Sequence, residues 1–219
     1  MKHLKIFALL LAAVLLLTVA GCSAGQNTPG TGSSPTGADI AEPAKPDTAA
    51  DTGRSDGERF EKIIMIEGTE ETVMYEHVIS TAAGVALDYE YETLKRQSYV
   101  DSETFVSVYD DPDAPVNFIT LTASEDDADT AAADYESALG MDFADVKMEP
   151  TELENSGWCT RITASSAKDD ESSYALCSVY IIPATDGCRI AFLSYTIESA
   201  EGFGARFLEM LNTLEVING

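Results

Sequence analysis

Phe203-Gly204-Ala205-Arg206-Phe207-Leu208-Glu209-Met210-Leu211-Asn212-Thr213-Leu214-Glu215-Val216-Ile217 is the stretch that decides the fold. Phe203, Phe207, Leu208, Met210 and Leu211 recur at helical spacing, so a helix over about residues 200–211 has one apolar face to dock. Residues 214–217 then read as a short closing strand. A helix that runs at once into a strand needs a sheet to receive both, which puts the chain in the α+β class.

Upstream of that ending, strand patterns dominate. Residues 62–66 and 72–79 flank the turn at 67–71 and predict a hairpin. Residues 85–89 alternate and give a third strand, while 90–97 has room for one helical turn. Residues 104–109 and 116–122 form a second hairpin around Asp110-Asp111-Pro112-Asp113, where proline presets φ and aspartates can bond the local backbone. A first helix follows. Ser124 or Asp126 can cap it, the acids after them suit its positive end, and Gly140 is the expected stop. Residues 143–149, 157–165, 174–182 and 188–198 supply four more strands, the last two joined tightly through 184–187. The expectation is a long, mostly antiparallel sheet with two main helices.

This order of elements resembles the Mog1/PsbP-like α/β/α sandwich, through residues 85–89, 105–109, 118–121 and 203–217. The resemblance covers most of residues 62–217 and concerns fold. That family supplies no shared catalytic site to carry over.

The other end of the chain gives an address. Lys2, His3 and Lys5 precede an uncharged run from Ile6 to Ala20, about the length of a signal-peptide core and short for a membrane span. Val19-Ala20-Gly21-Cys22 resembles the lipobox of bacterial lipoproteins. The resemblance implies that residues 1–21 are a signal peptide cut before Cys22 and that the Cys22 thiol carries a diacylglyceryl group. Two acyl chains suffice for stable anchoring, at ~0.8 kcal/mol per buried methylene. Residues 22–59 are then the lipidated cysteine and a disordered tether. In residues 23–58 Ile40 is the only large aliphatic side chain, too little apolar area to offset the entropy of folding. Such a coil reaches roughly 30–36 Å, at ~5–6 Å times the square root of its length. Residues 60–219 are left as one α+β domain, expected to be monomeric and to face outside the cytoplasm.

Charge narrows the partners. Thirteen Lys and Arg stand against 38 Asp and Glu, a net charge of −25, and removing Lys2 and Lys5 with the leader takes it to −27. Nucleic acid is excluded as a partner, since binding a phosphate backbone demands cations. The membrane is reached through the lipid on Cys22 alone, and an envelope protein, peptide or glycan is the ligand expected.

Catalytic groups are scarce. His77 is the only histidine after the leader, and it alternates with Tyr75 and Ile79 in a strand, as a structural histidine would. No nucleophile elbow, zinc-protease helix, paired-cysteine or phosphate-loop motif is present. Cys159, Cys177 and Cys188 each lie among apolar neighbours; core thiols are the first reading and one disulfide the alternative. No catalytic residue and no cofactor is assigned. Carboxylates crowd the turns, and Asp110, Asp111, Asp113, Asp126, Asp127 and Asp129 are the candidates for a weak cation site. Glu67, Glu70 and Glu71 form another acidic turn and Asp169-Asp170-Glu171 a further one. Trp158, the sole tryptophan, is expected at the core or its edge. The reading is a lipid-anchored, non-catalytic binding or accessory module, with a carboxylate- or metal-dependent enzyme acting on envelope material as the alternative.

Overall fold

The computed structural model describes residues 53–66, 68–167 and 175–217. Cys22, the leader and the tether up to residue 52 lie outside the described residues, as do Glu67, Asp169, Asp170 and Glu171. The strands are β1 (Arg59–Ile66), β2 (Thr69–Ser80), β3 (Val85–Glu90), β4 (Leu94–Ser98), β5 (Ser102–Ser107), β6 (Phe118–Ser124), β7 (Phe143–Leu153), β8 (Gly157–Ala167), β9 (Ala175–Ala184), β10 (Gly187–Thr196) and β11 (Glu215–Val216). Helix α1 (Ala128–Asp142) follows β6, and α2 (Ala205–Asn212) precedes β11. The result is an α+β sandwich with two main helices, as the sequence predicts.

The strands divide into two sheets instead of one. A four-stranded sheet has the order β1-β2-β3-β11, and a seven-stranded sheet the order β4-β5-β6-β10-β9-β8-β7. Every registered pair is antiparallel. The split falls at Tyr91-Glu92-Thr93, where the chain turns from β3 into β4. A helical turn is expected there from the sequence, and the structure has a strand. Leu94 is buried, Arg96 bonds Glu103 across to β5, and the β5 ladder satisfies the backbone that a lone turn would leave to water.

Helix α1 sets the layout of the larger sheet. It leaves β6 in the middle, crosses β10, β9 and β8, and delivers β7 to the far edge. Its buried residues Ala131, Ala132, Tyr135 and Leu139 cover one face of those strands. Gly140 does not stop it: this glycine has no positive φ, and the helix runs to Asp142, where the Phe143 N–H closes on the Leu139 carbonyl. Phe143 opens β7 directly, and β7 extends to Leu153, beyond the expected 149.

The opposite face carries the main core. By register, Cys159, Tyr180, Ile182, Ala191, Leu193, Ile119, Leu121 and Phe105 share that face. They pack with Val78, Val85, Leu87 and Tyr89 of the smaller sheet and with Phe207, Met210, Leu211 and Leu214. Full burial of each large apolar side chain contributes about 1.5–3 kcal/mol, so α2 is held chiefly by its apolar face. A wide turn at Ala200–Gly204 leads into it, so the regular helix starts later than predicted. Ile64, Ile66, Val73 and Tyr75 form a second cluster with Phe60 and Ala205.

The folded unit also begins before residue 60. The Gly57 N–H donates to the His77 carbonyl, the His77 N–H to the Glu58 carbonyl, and the Ile79 N–H to the Asp56 carboxylate. Residues 56–58 are thus strapped along β2 by two backbone bonds and the Asp56 carboxylate, which need no apolar side chains, and composition alone misses them.

Candidate functional site

Between α2 and the exposed end of β7–β10 lies a groove of about 450 Å³. Its floor is Arg161, Tyr180, Leu193 and Tyr195, brought together because they occupy the same face of neighbouring strands; Arg161 sits directly opposite Tyr180 in the β8–β9 register. One wall is the wide turn and α2, through Gly204, Ala205 and Leu208; the other is the end of β7, with Thr151, Glu152 and Glu154.

Local bonds fix both walls. Asn155 Nδ2 donates to the Thr213 carbonyl and Ser156 Oγ to that of Leu214, tying the β7–β8 turn to the end of α2. On the other side, Ser199 Oγ donates to Asn117 Oδ1 at 2.5 Å, and Asn117 Nδ2 donates to Asp110 Oδ1 at 2.9 Å. The rings of Tyr195 and Phe207 stand 6.3 Å apart and those of Phe203 and Phe207 5.7 Å, seating the helix on the sheet.

Arg161 is the anomaly. Its Nε is buried without a hydrogen-bond partner, and its Nη1 stands 4.0 Å from Glu149, beyond hydrogen-bond reach. Glu149 is shared: Lys147 bonds its Oε2 while Arg161 faces its Oε1, and the Lys147 hydrogen bond and charge hold it below the usual carboxylate range, with Arg161 adding to that. The other described arginines all have close carboxylates. Arg59 meets Glu76 at 2.7 Å, Arg96 meets Glu103 at 2.7 Å, Arg189 meets Asp186 at 2.8 Å, Arg206 meets Glu71 at 2.9 Å and Arg54 meets Asp88 at 3.5 Å. In a chain this rich in acids, a partly exposed guanidinium left unbonded in a groove has capacity for an outside acceptor. Burial raises the pKa of Tyr180, so it stays a neutral phenol beside that cation.

The aspartates singled out in the sequence are spread over the molecule. Asp110 accepts the Val116 and Asn117 N–H groups, at 2.7 and 2.6 Å. Asp111 accepts the Asp113 N–H, Asp126 accepts Ser124 Oγ, and Asp129 lies in the first turn of α1. Asp127, not Ser124 or Asp126, caps α1: it accepts the Thr130 N–H and hydroxyl, which hold its carboxyl below the ordinary value. Among the described residues, no three His, Cys, Asp or Glu side chains gather as a metal-sized group.

Other singled-out residues are structural. His77 Nδ1 lies 2.7 Å from Asp88 Oδ1, both buried, with Arg54 on the second Asp88 oxygen. Cys159, Cys177 and Cys188 are free and buried; burial pushes the Cys159 and Cys188 thiols up to about 11 and Cys177 to about 12, so none is a ready nucleophile. Trp158 is 67% exposed, contrary to the expectation of a core position. By register it lies opposite Glu152, on the face of the sheet that α1 packs against. Arg161 had a legible signal: it shares strand parity with Cys159, so an alternation that buries Cys159 turns Arg161 to the same side.

No protein-family model matches the chain, and no curated protein does. Solved structures do. The Ran-binding protein Mog1p of Saccharomyces cerevisiae is similar at 11% identity and a TM-score of 0.44, over 66% of this chain and 96% of that one. The cyanobacterial PsbP (CyanoP) of Synechocystis is similar at 9% identity and a TM-score of 0.45, over 65% of this chain and 92% of that one. A protein from Bacteroides thetaiotaomicron matches at 14% identity and a TM-score of 0.35, over 65% of this chain and 48% of its own.

Proposed function

We propose that this chain is a lipid-anchored, extracytoplasmic binding or accessory module whose contact surface is the groove under α2. The observation that carries it is the Arg161 guanidinium, without a hydrogen bond and 4.0 Å from Glu149, among Tyr180, Tyr195 and Leu193 in a groove whose walls are independently braced. A few placed polar groups on an apolar floor is how small-ligand sites are built. The anchor is supported by Val19-Ala20-Gly21-Cys22 and the polar, Gly/Ser/Pro-rich stretch behind it. The cation candidates accept bonds from nearby backbone and hydroxyl groups, which favours a module over a carboxylate enzyme.

A groove-filling substitution tests the reading. Gly204 lies in the wall with ordinary helical φ, and a Cβ there meets the Tyr195 ring at 3.6 Å, an ordinary contact. Gly204→Phe should fold and should abolish binding of envelope-derived peptides or glycans to the full chain. A wild-type-like binding isotherm for that variant would place the contact surface elsewhere.

A further inference from the structure

We propose that the groove takes a zwitterion, an amino acid or peptide end whose carboxylate is held by Arg161. This rests on reading the groove as the contact surface, and goes beyond it by naming the ligand chemistry.

Three observations carry it. First, the Arg161 guanidinium makes no hydrogen bond: its Nε is buried without a partner, its Nη1 stands 4.0 Å from Glu149 Oε1, its Cζ lies 5.7 Å from the centre of the Tyr180 ring, and the side chain is 34% exposed. A guanidinium presents paired N–H groups that match a carboxylate bidentately. Second, Glu154 lines the same groove, with Glu149 beside Arg161 on the same face. Together with a net charge of −25, these acids repel a ligand of net negative charge, a phosphate dianion above all. A carboxylate accompanied by an ammonium escapes that penalty, because its net charge is zero. Third, Leu208 is exposed and Ala205 and Tyr195 are half-buried beside the buried Leu193 and Tyr180, an apolar edge for a small side chain. A neutral sugar would leave the cation unanswered.

The test is a titration of the full chain in detergent micelles, labelled with ¹⁵N and followed at the Arg161 Nε–H and the surrounding groove amides. The probes are the dipeptide Ala-Ala, its C-terminal amide, its N-acetyl form, inorganic phosphate and the neutral disaccharide chitobiose. Ala-Ala should shift the Arg161 Nε–H with saturation. Removing either charge, or substituting Arg161→Gln, should weaken binding by about tenfold or more. Equal binding of the amide or the N-acetyl form, or of Ala-Ala to the Arg161→Gln chain, overturns the proposal. Should chitobiose or phosphate shift the groove amides where Ala-Ala does not, the ligand class falls and the groove stands. Silence at every groove amide with all five probes overturns both. The two ligand-side arms use the wild-type chain, so the result does not depend on the variant folding.

Discussion

At the scale of single residues, the structure spends its few cations carefully. Arg189 is buried on β10, where its Nε donates to the Gly84 carbonyl at 3.1 Å and its Nη2 to Asp186. The same Gly84 carbonyl accepts the Ile217 N–H at 2.9 Å, so one glycine ties β10 to the end of the chain. Gly84 has φ +64, and a Cβ there would fall 2.4 Å from Arg189 Nε. Gly84→Ala should therefore destabilise the fold by about 1–3 kcal/mol, through backbone strain and the displaced guanidinium. Gly140 is the contrast: it lies inside α1 with open space where a Cβ would stand, and Gly140→Ala should stabilise by about 0.5–1 kcal/mol. Urea denaturation of the pair checks this, and equal midpoints would contradict it. Neither role is legible from the sequence, where Gly140 reads as a helix stop and nothing marks Gly84. What separates them is Arg189, which is 105 residues from Gly84 along the chain.

At the scale of elements, period-based reading succeeds where a segment is long and one-sided and fails where backbone pairing decides. The α2 stripe, the strand expected over 157–165 and the hairpin through Thr185-Asp186 follow from side-chain pattern. Strand β4 and the strap along β2 do not, because their stability comes from ladder bonds to distant partners. The groove was half legible: its tyrosines stood out as strand residues, but Arg161 becomes notable only once every other described arginine has found its acid. Helix α1 gives a pH test. Hydrogen bonds from Thr130 depress the Asp127 pKa, so its cap contribution is fully present above the unfolded-state carboxylate value and is lost as pH falls through the lower folded-state value. Asp127→Asn keeps an acceptor without the titration. The stability gap between wild type and Asp127→Asn should narrow on acidification below the ordinary aspartate range. A gap that holds constant, or widens, would remove the charged cap.

At the scale of the whole molecule, an acidic domain opens with a strap on its own β2 and carries its groove at the far end of the chain, where α2 returns to the sheet. Such a charge favours solubility and disfavours contact with anionic surfaces, which is compatible with the proposed tether. Among the described residues no helix is long and apolar enough to cross a membrane; attachment through a lipid on Cys22 is part of the proposal. The most direct measurement is intact-mass and N-terminal peptide mass spectrometry of the chain made in a bacterial host. The account predicts a mature chain starting at Cys22 and heavier by a diacylglyceryl group. An N-terminus still carrying residues 1–21, or a Cys22 thiol free of lipid, would contradict it.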